Sequence, residues 1–401
     1  MFHRLSLPAL AVLAGTLEFL PSSALGAPPP EPRFRAVNVD TQVAIGYGVA
    51  VADVNGDHRP DLVLCDKNQI AWYENPGWTK HIIAENLTKL DHVCVAAQDI
   101  DGDGKAEIAV GAGWNPGDTI NSGAVFYLQP PADRTQRWTP QALPHEPTVH
   151  RMRWVKNYQE RWTLVVAPLH GRGNKDGDGA GVKIQRYTPP ASAGDEWTVQ
   201  TIDDSLHKTH NFDPVQWDED VAHELLVGGK EGWQMINWSR EKSGYATEAL
   251  GSSEAGGAGE IRLGRLSAES RFVATVEPMH GNSLVLYQPP TSGTSGRWIR
   301  RVLDESLVDG HALACGDLLG LGRDQIVVGW RAMNRPGVKV GIKLLTPLDP
   351  AGREWRTTLI DDNTMACEDL CLADLNGDGK LDLILAGRQT KNLRILFNEG
   401  R

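Results

Sequence analysis

The chain has 401 residues, with 51 acidic side chains against 40 Lys and Arg and a formal net charge of −11. An acidic chain without a basic stripe lacks the electrostatic footprint of a nucleic-acid partner. Beyond residue 26 no segment approaches the ~20 consecutive apolar residues of a membrane helix, so no membrane span is expected.

The first stretch reads as a targeting segment. His3 and Arg4 precede the apolar run Leu5–Leu17, which Pro8 interrupts and Glu18 ends, and Ala24 and Gly26 stand before Ala27 as at a cleavage site. Residues 1–26 are expected to be a secretory signal, which places the protein outside the cell or in a periplasm. Residues 27–32, with prolines at 28, 29, 30 and 32, form a stiff lead-in. The folded domain is expected over 33–401. Its five cysteines, at 65, 94, 315, 367 and 371, are odd in number and read as small buried hydrophobes rather than a disulfide framework.

Phe34–Val39 is the first strand. Unit one follows: Tyr47 to Asp53, an acidic loop with Asn55, Asp57 and Asp61, then Leu62–Cys65. Unit two runs from Leu90 to Trp114: His92–Ala97, a loop with Asp99, Asp101, Asp103 and Glu107 around Gly102 and Gly104, then a returning apolar run to Gly113. Apolar runs of this length bounded by Asp/Gly clusters read as paired strands. Units three, four and five start at His150, His210 and Glu260, and their strand pairs are expected to lack the acidic loop. Unit six runs from His311 to Gly329 with a decayed loop. Unit seven opens at Glu368 and carries Asp374, Asn376, Asp378 and Asp382 before Leu383–Ala386.

Each unit then has a third strand, such as Ile70–Tyr73, Ala124–Tyr127 or Ser283–Tyr287. A fourth is introduced by an aromatic: Trp78, Trp138, Trp197, Tyr245, Trp298 or Trp355. These are six fourth strands for seven units, and Phe34–Val39 matches the missing one in type. The expected fold is therefore all-β: a seven-bladed β-propeller of four-stranded blades, closed by the N-terminal strand.

These units resemble FG-GAP or VCBS repeats, with Tyr47–Gly48 standing where the family has Phe-Gly and Gly111–Gly113 where it has Gly-Ala-Pro. A single exported propeller with histidines at its centre is also similar to the propeller domain of aldos-2-ulose dehydratases. That resemblance implies elimination of water from keto-sugars. It does not extend to the cupin domains those enzymes carry for a later isomerisation.

The acidic loops place oxygens at positions 1, 3, 5 and 9, with glycine at the turn. The sets are Asp53/Asn55/Asp57/Asp61, Asp99/Asp101/Asp103/Glu107 and Asp374/Asn376/Asp378/Asp382. Hard oxygen donors at this spacing suit calcium in a stabilising role. Asn174, Asp176 and Asp178 form another acidic cluster, in a different loop, that reads equally as a metal site or a plain turn.

At the opposite end of the first strands the opening residues are Tyr47, His92, His150, His210, Glu260, His311 and Glu368. First strands line a propeller's channel, so these residues are expected to ring one mouth. The unit-two residue lies seven positions before its loop Asp, against six in units one, six and seven, which predicts a β-bulge there. His92, His150 and His210, from consecutive units, are the expected ligands of a divalent transition metal such as zinc, with Glu260 or His311 as substitutes.

Second strands end at the same mouth. His170 and His280 recur there as Pro168–Gly171 (PLHG) and Pro278–Gly281 (PMHG), and either is a candidate general base. Arg331 would steady a developing oxyanion. Tyr47, Trp114, Arg172, Lys230, Trp330, Glu368 and Arg388 are candidate substrate contacts. The implied function is a metal-dependent carbon–oxygen lyase acting on a small keto-sugar or keto-glycoside as a monomer. Two alternatives remain open on the residues alone: a glycoside hydrolase using two of Glu260, Glu277 and Glu368, and a calcium-stabilised lectin or adhesion propeller.

Overall fold

In the computed structural model the described residues are 31–192, 195–218, 220–239, 244–252, 256–290 and 296–400. The segment read as a secretory signal lies outside them, as do residues 27–30 of the lead-in. Strands make seven four-stranded antiparallel sheets, each built from four consecutive strands except the last. In the last blade the N-terminal strand Arg33–Asp40 pairs with the chain's final strand, Leu393–Gly400, with Ala36 opposite Leu396. The chain is thus a seven-bladed β-propeller closed by its N-terminal strand. No helix long and apolar enough to cross a membrane occurs among the described residues.

The innermost strands are Gly48–Ala52, Cys94–Gln98, Val149–Lys156, Thr209–Val215, Ile261–Arg265, Gly310–Gly316 and Cys367–Ala373, and each adjoins its neighbours around the ring. Second strands are buried on both faces because blades cover one another, which is why they read as unbroken apolar runs such as Leu62–Cys65 and Ile326–Gly329. One core cluster joins Trp72 of blade one, Val110 of blade two and Met152 of blade three, all fully buried. Each such side chain contributes about 1.5–3 kcal/mol of transfer free energy. The aromatics heading the fourth strands pack outward of this layer: Trp197 meets Tyr127 and Trp154, and Trp355 meets Phe272 edge-on.

One local expectation is corrected. The register of blade two is unbroken from Cys94/Gly111 to Gln98/Glu107, so the predicted bulge is absent there. His92 precedes the strand instead, its amide bonded to the Lys67 carbonyl of blade one. Between first and second strands the register shifts fall in blades three, four, six and seven, at His150, His210–Asn211, His311 and Glu368. A bulge re-aims side chains, and here it does so at the ring positions themselves. The five cysteines are free thiols, buried at 65, 94 and 367 and half-buried at 315 and 371.

Candidate functional site: the histidine mouth

Two bulged first strands and the corner after the second strand of blade five bring three imidazoles together. Nitrogens of His210, His280 and His311 lie within 4.8 Å of one another. His210 and His280 face each other through Nε2, 2.7 Å apart. The other nitrogen of each ring looks at an oxygen. His210 Nδ1 is 3.1 Å from Glu260 Oε1, an ion-pair distance without hydrogen-bond alignment. His311 Nδ1 donates to the Glu368 carbonyl at 2.5 Å. His280 Nδ1 is 3.7 Å from Asp309 Oδ1. His150 stands beside them, its Nδ1 donating to the His210 carbonyl at 2.8 Å and its ring stacked on Trp114. Since a carbonyl oxygen only accepts, that bond leaves the His150 Nε2 lone pair free.

Burial holds His150, His210 and His311 well below the ordinary imidazole range, and neighbouring cations add to it. His280 is pushed down to about 4, by burial first and then by the Arg331 guanidinium. All four rings are neutral at pH 7, the state in which imidazole binds a metal ion or accepts a proton. Neutral rings whose Nδ1 faces an oxygen acceptor while Nε2 turns inward are the arrangement that orients metal-ligating histidines. The residues therefore fit a divalent transition metal.

Below the rings, Glu260 is 1% exposed and takes a hydrogen bond of 2.6 Å from Asn211 Nδ2. Arg151 approaches it to 3.7 Å. Around the rim, Arg331 is held by Asp309 at 3.1 Å and by Glu368, and Arg388 reaches Glu368 at 3.0 Å while lying over the Tyr47 ring. Tyr47 donates to Asp91 at 2.9 Å. Among the sequence candidates, the structure thus groups His150, His210, His280, His311, Glu260, Trp114, Tyr47, Arg331, Glu368 and Arg388.

Others are placed elsewhere. His92 is fully buried between blades one and two, where its Nε2 accepts the Leu87 amide. His170 continues its strand as a bridge to Lys208, with its amide on Thr148 Oγ1. Arg172 ties the blade-two insertion at the Ile120 carbonyl and pairs with Glu146. Lys230 donates to the Asp176 carbonyl. Trp330 is packed in the core of blade six, its Nε1 spent on the Lys339 carbonyl. A backbone oxygen, an amide or an apolar layer claims the side chains of His92, Arg172, Lys230 and Trp330, and the main chain of His170 is held at Lys208 and Thr148.

Sequence reading passed over Arg151, Asn211 and Asp309. Arg151 and Asn211 directly follow ring histidines, where a bulge turns two consecutive residues inward. Asp309 lies two residues before His311. The bulges at His150 and His210 turn the first two inward, and spacing along the chain carries no sign of them because units three and four lack the acidic loop from which position is counted.

At the other face, the three acidic loops share one hydrogen-bond pattern. Asp99 accepts the amides of Gly102 and Gly104, Asp53 those of Gly56 and His58, and Asp374 those of Gly377 and Gly379. Asn55, Asp57, Asp101, Asp103, Asn376 and Asp378 each accept the amide two residues on. Asp61, Glu107 and Asp382 close the loops onto Val54, Ile100 and Leu375. Carboxylate oxygens of Asp99, Asp101 and Glu107 lie within 4.8 Å of one another. Burial pushes Asp61 up to about 6 and Glu107 up to about 7.

Blade four, expected to lack the acidic loop, brings Asp218, Asp220 and Glu224 equally close. The Asn174 cluster is a turn: Asn174 bonds Gly177, Ala180 and His207, and Asp176 pairs with Lys208.

Comparison with known proteins agrees with the repeat and with the propeller fold. Residues 53–110 match the family model of the FG-GAP-like repeat, and residues 122–289 match that of the aldos-2-ulose dehydratase β-propeller domain. The second segment contains His150, His210, Glu260 and His280. Aldos-2-ulose dehydratase of Phanerodontia chrysosporium is 22% identical over 330 residues, taking in 76% of this chain and 36% of that protein. The chain thus resembles the propeller part of a longer relative. Among solved structures, a chain of a mitotic checkpoint complex covers 98% of each chain at a TM-score of 0.57 and 12% identity. The β-propeller domain of Cps50 (Swd1) from Myceliophteria thermophila covers 90% of this chain and 99% of its own at 0.52 and 10% identity. At such identities the likeness is one of fold.

Proposed function

We propose that the chain is an exported, metal-dependent carbon–oxygen lyase that eliminates water or an aglycone from a keto-sugar or keto-glycoside at the histidine mouth. The observation that carries this is the convergence of His210, His280 and His311, each with its second nitrogen turned to an oxygen. A transition metal bound there would act as a Lewis acid toward the sugar carbonyl.

The chain's own groups do the rest. Glu260, the Glu368 carbonyl and Asp309 orient the three rings. His150 Nε2 takes the proton from the carbon α to the carbonyl. The β carbon–oxygen bond then breaks with its electron pair on oxygen, which leaves as water or an alcohol once protonated, and a conjugated enone remains. Trp114 backs the His150 ring, and Tyr47 and Arg388 border the sugar. This assignment exchanges the roles that sequence alone suggested for His150 and His280. Arg331 keeps an electrostatic part, although Asp309 and Glu368 already occupy it.

The hydrolase reading loses its reach. Glu260, Glu277 and Glu368 are all buried, and Glu277 is enclosed by Thr275, Tyr287 and Arg300. Hydrolysis needs carboxyls that reach the glycosidic oxygen and a water.

The test combines metal analysis of purified protein with ultraviolet absorbance of the enone formed from a keto-sugar. One equivalent of transition metal and an enone that appears only with it are expected. Metal-free protein at full turnover, or metal-loaded protein giving no enone from any keto-sugar or keto-glycoside, would overturn the reading. The shared geometry of the acidic loops supports a stabilising calcium there. Chelation should lower the melting temperature of wild type more than that of the Asp101→Ala/Asp103→Ala double variant. Equal melting with and without chelator would make them ordinary turns.

A further inference from the structure

Of the three converging rings, His210 and His311 are each 2% exposed, whereas the side chain of His280 is 42% exposed. It opens into a cleft of about 500 Å³ between blades five and six. The walls are pre-formed. Gly310 donates to the Gly281 carbonyl at 2.9 Å and Leu307 to the Asn282 carbonyl at 3.1 Å, so main-chain bonds stitch the two blades along the floor. Both residues at the inner end, His280 and Asp309, adopt left-handed backbone angles, φ 54° and 60°. Such conformations for residues other than glycine cluster at functional sites. Farther out, Glu305 and Arg335 line the cleft, both exposed and neither side chain paired with another described residue. A carboxylate accepts from hydroxyls and a guanidinium donates to them, so the pair can hold a sugar's hydroxyl groups. Expulsion of water alone would need no such extension.

We propose that this cleft is the leaving-group subsite, and that the substrate is a glycoside whose second sugar, or other polyol, lies against Glu305 and Arg335. The inference rests on the lyase reading and adds the position of the ketone. For the glycosidic oxygen on C1 to be β to the carbonyl, the ketone must be at C3 and the removed proton on C2. The C2 proton goes to His150, the C1–O bond breaks, the electron pair leaves on the glycosidic oxygen, and that oxygen is released protonated as an alcohol. The other product is the 3-keto-1,2-ene, and no oxidant or reductant is consumed.

The experiment compares two probes on metal-loaded protein: a disaccharide oxidised to the ketone at C3 of its non-reducing ring, and a free keto-monosaccharide that can lose only water. The disaccharide should be preferred in kcat/KM. Glu305→Ala with Arg335→Ala, both on the surface, should lower kcat/KM for the disaccharide by about ten- to a hundredfold and leave the monosaccharide within about twofold. Ser306→Trp, which fills the same cleft, should act alike. Equal losses on both probes, or no loss on the disaccharide, would overturn the subsite. Enone from the monosaccharide with none from the disaccharide would overturn it while the lyase reading stands. If neither probe gives enone, the lyase reading fails, and equilibrium binding of the disaccharide then judges the cleft alone. Binding weakened at least tenfold by the double variant supports the subsite, and unchanged or undetectable binding overturns it.

Discussion

The corners after the second strands of blades three and five carry nearly the same residues, Pro168–Gly171 and Pro278–Gly281, yet they do opposite things. At the first, the chain stays extended. His170 bridges to Lys208, and Thr148 Oγ1 both takes its amide and donates to its carbonyl. The residue is 7% exposed, and its ring is held below its ordinary range by burial and then by Lys208. At the second, the chain turns, His280 enters the left-handed region, and its ring meets His210 and the cleft. A repeat reproduces the path of the strands. It does not reproduce the two or three hydrogen bonds at the corner that decide where a ring points.

The largest expected effect comes from breaking that asymmetry directly. His280→Ala should lose the transition metal and fall to background turnover. His170→Ala should keep the metal and stay within about threefold, below the ~10²–10⁴ loss of a general base. Metal analysis and enone absorbance on both variants check this, and a large rate loss in His170→Ala would return the base to blade three.

Next, Glu260→Gln keeps the shape beneath His210 but removes the charge that faces its Nδ1. Metal affinity should fall about 10–100-fold, as for other carboxylates behind a ligating histidine, measured by competition with a chromophoric chelator.

The acid response comes third, read on chelator-treated protein. The folded state holds His150, His210, His280 and His311 below the unfolded value of about 6.5, so the unfolded chain binds protons first as the pH falls. Stability from these rings is complete above about 6.5 and is lost as the pH drops toward about 4, the value for His280. Melting temperature measured from pH 7.5 to 4 should decline over that window, and less steeply in His280→Ala.

The smallest catalytic effect is at the other corner. Thr148→Val removes the hydroxyl that both accepts the buried His170 amide and donates to its carbonyl. It should cost about 1–3 kcal/mol of stability with turnover unchanged. Denaturant titration beside the enone assay separates the two.

Period and count were legible without coordinates. Apolar runs of six or seven, acidic turns at fixed spacing and one unpaired strand at each end of the chain determine a closed ring of seven blades, because each blade can bury its faces only against its neighbours. The same repeat phase put His150, His210, Glu260, His311 and Glu368 at one mouth. The choice among them was decided in three dimensions. His92 shares the phase, but its backbone pairs with blade one. His280 lies on a corner rather than a first strand, yet it faces His210 across the mouth. Bulges at the ring positions turned Arg151 and Asn211 inward, and Asp309 came beside His280 from the next blade. These outcomes depend on contacts between residues up to about seventy positions apart, such as His210 with His280. Spacing along a chain encodes which strand and which end a residue occupies. Which oxygen claims its side chain is settled only when the blades close.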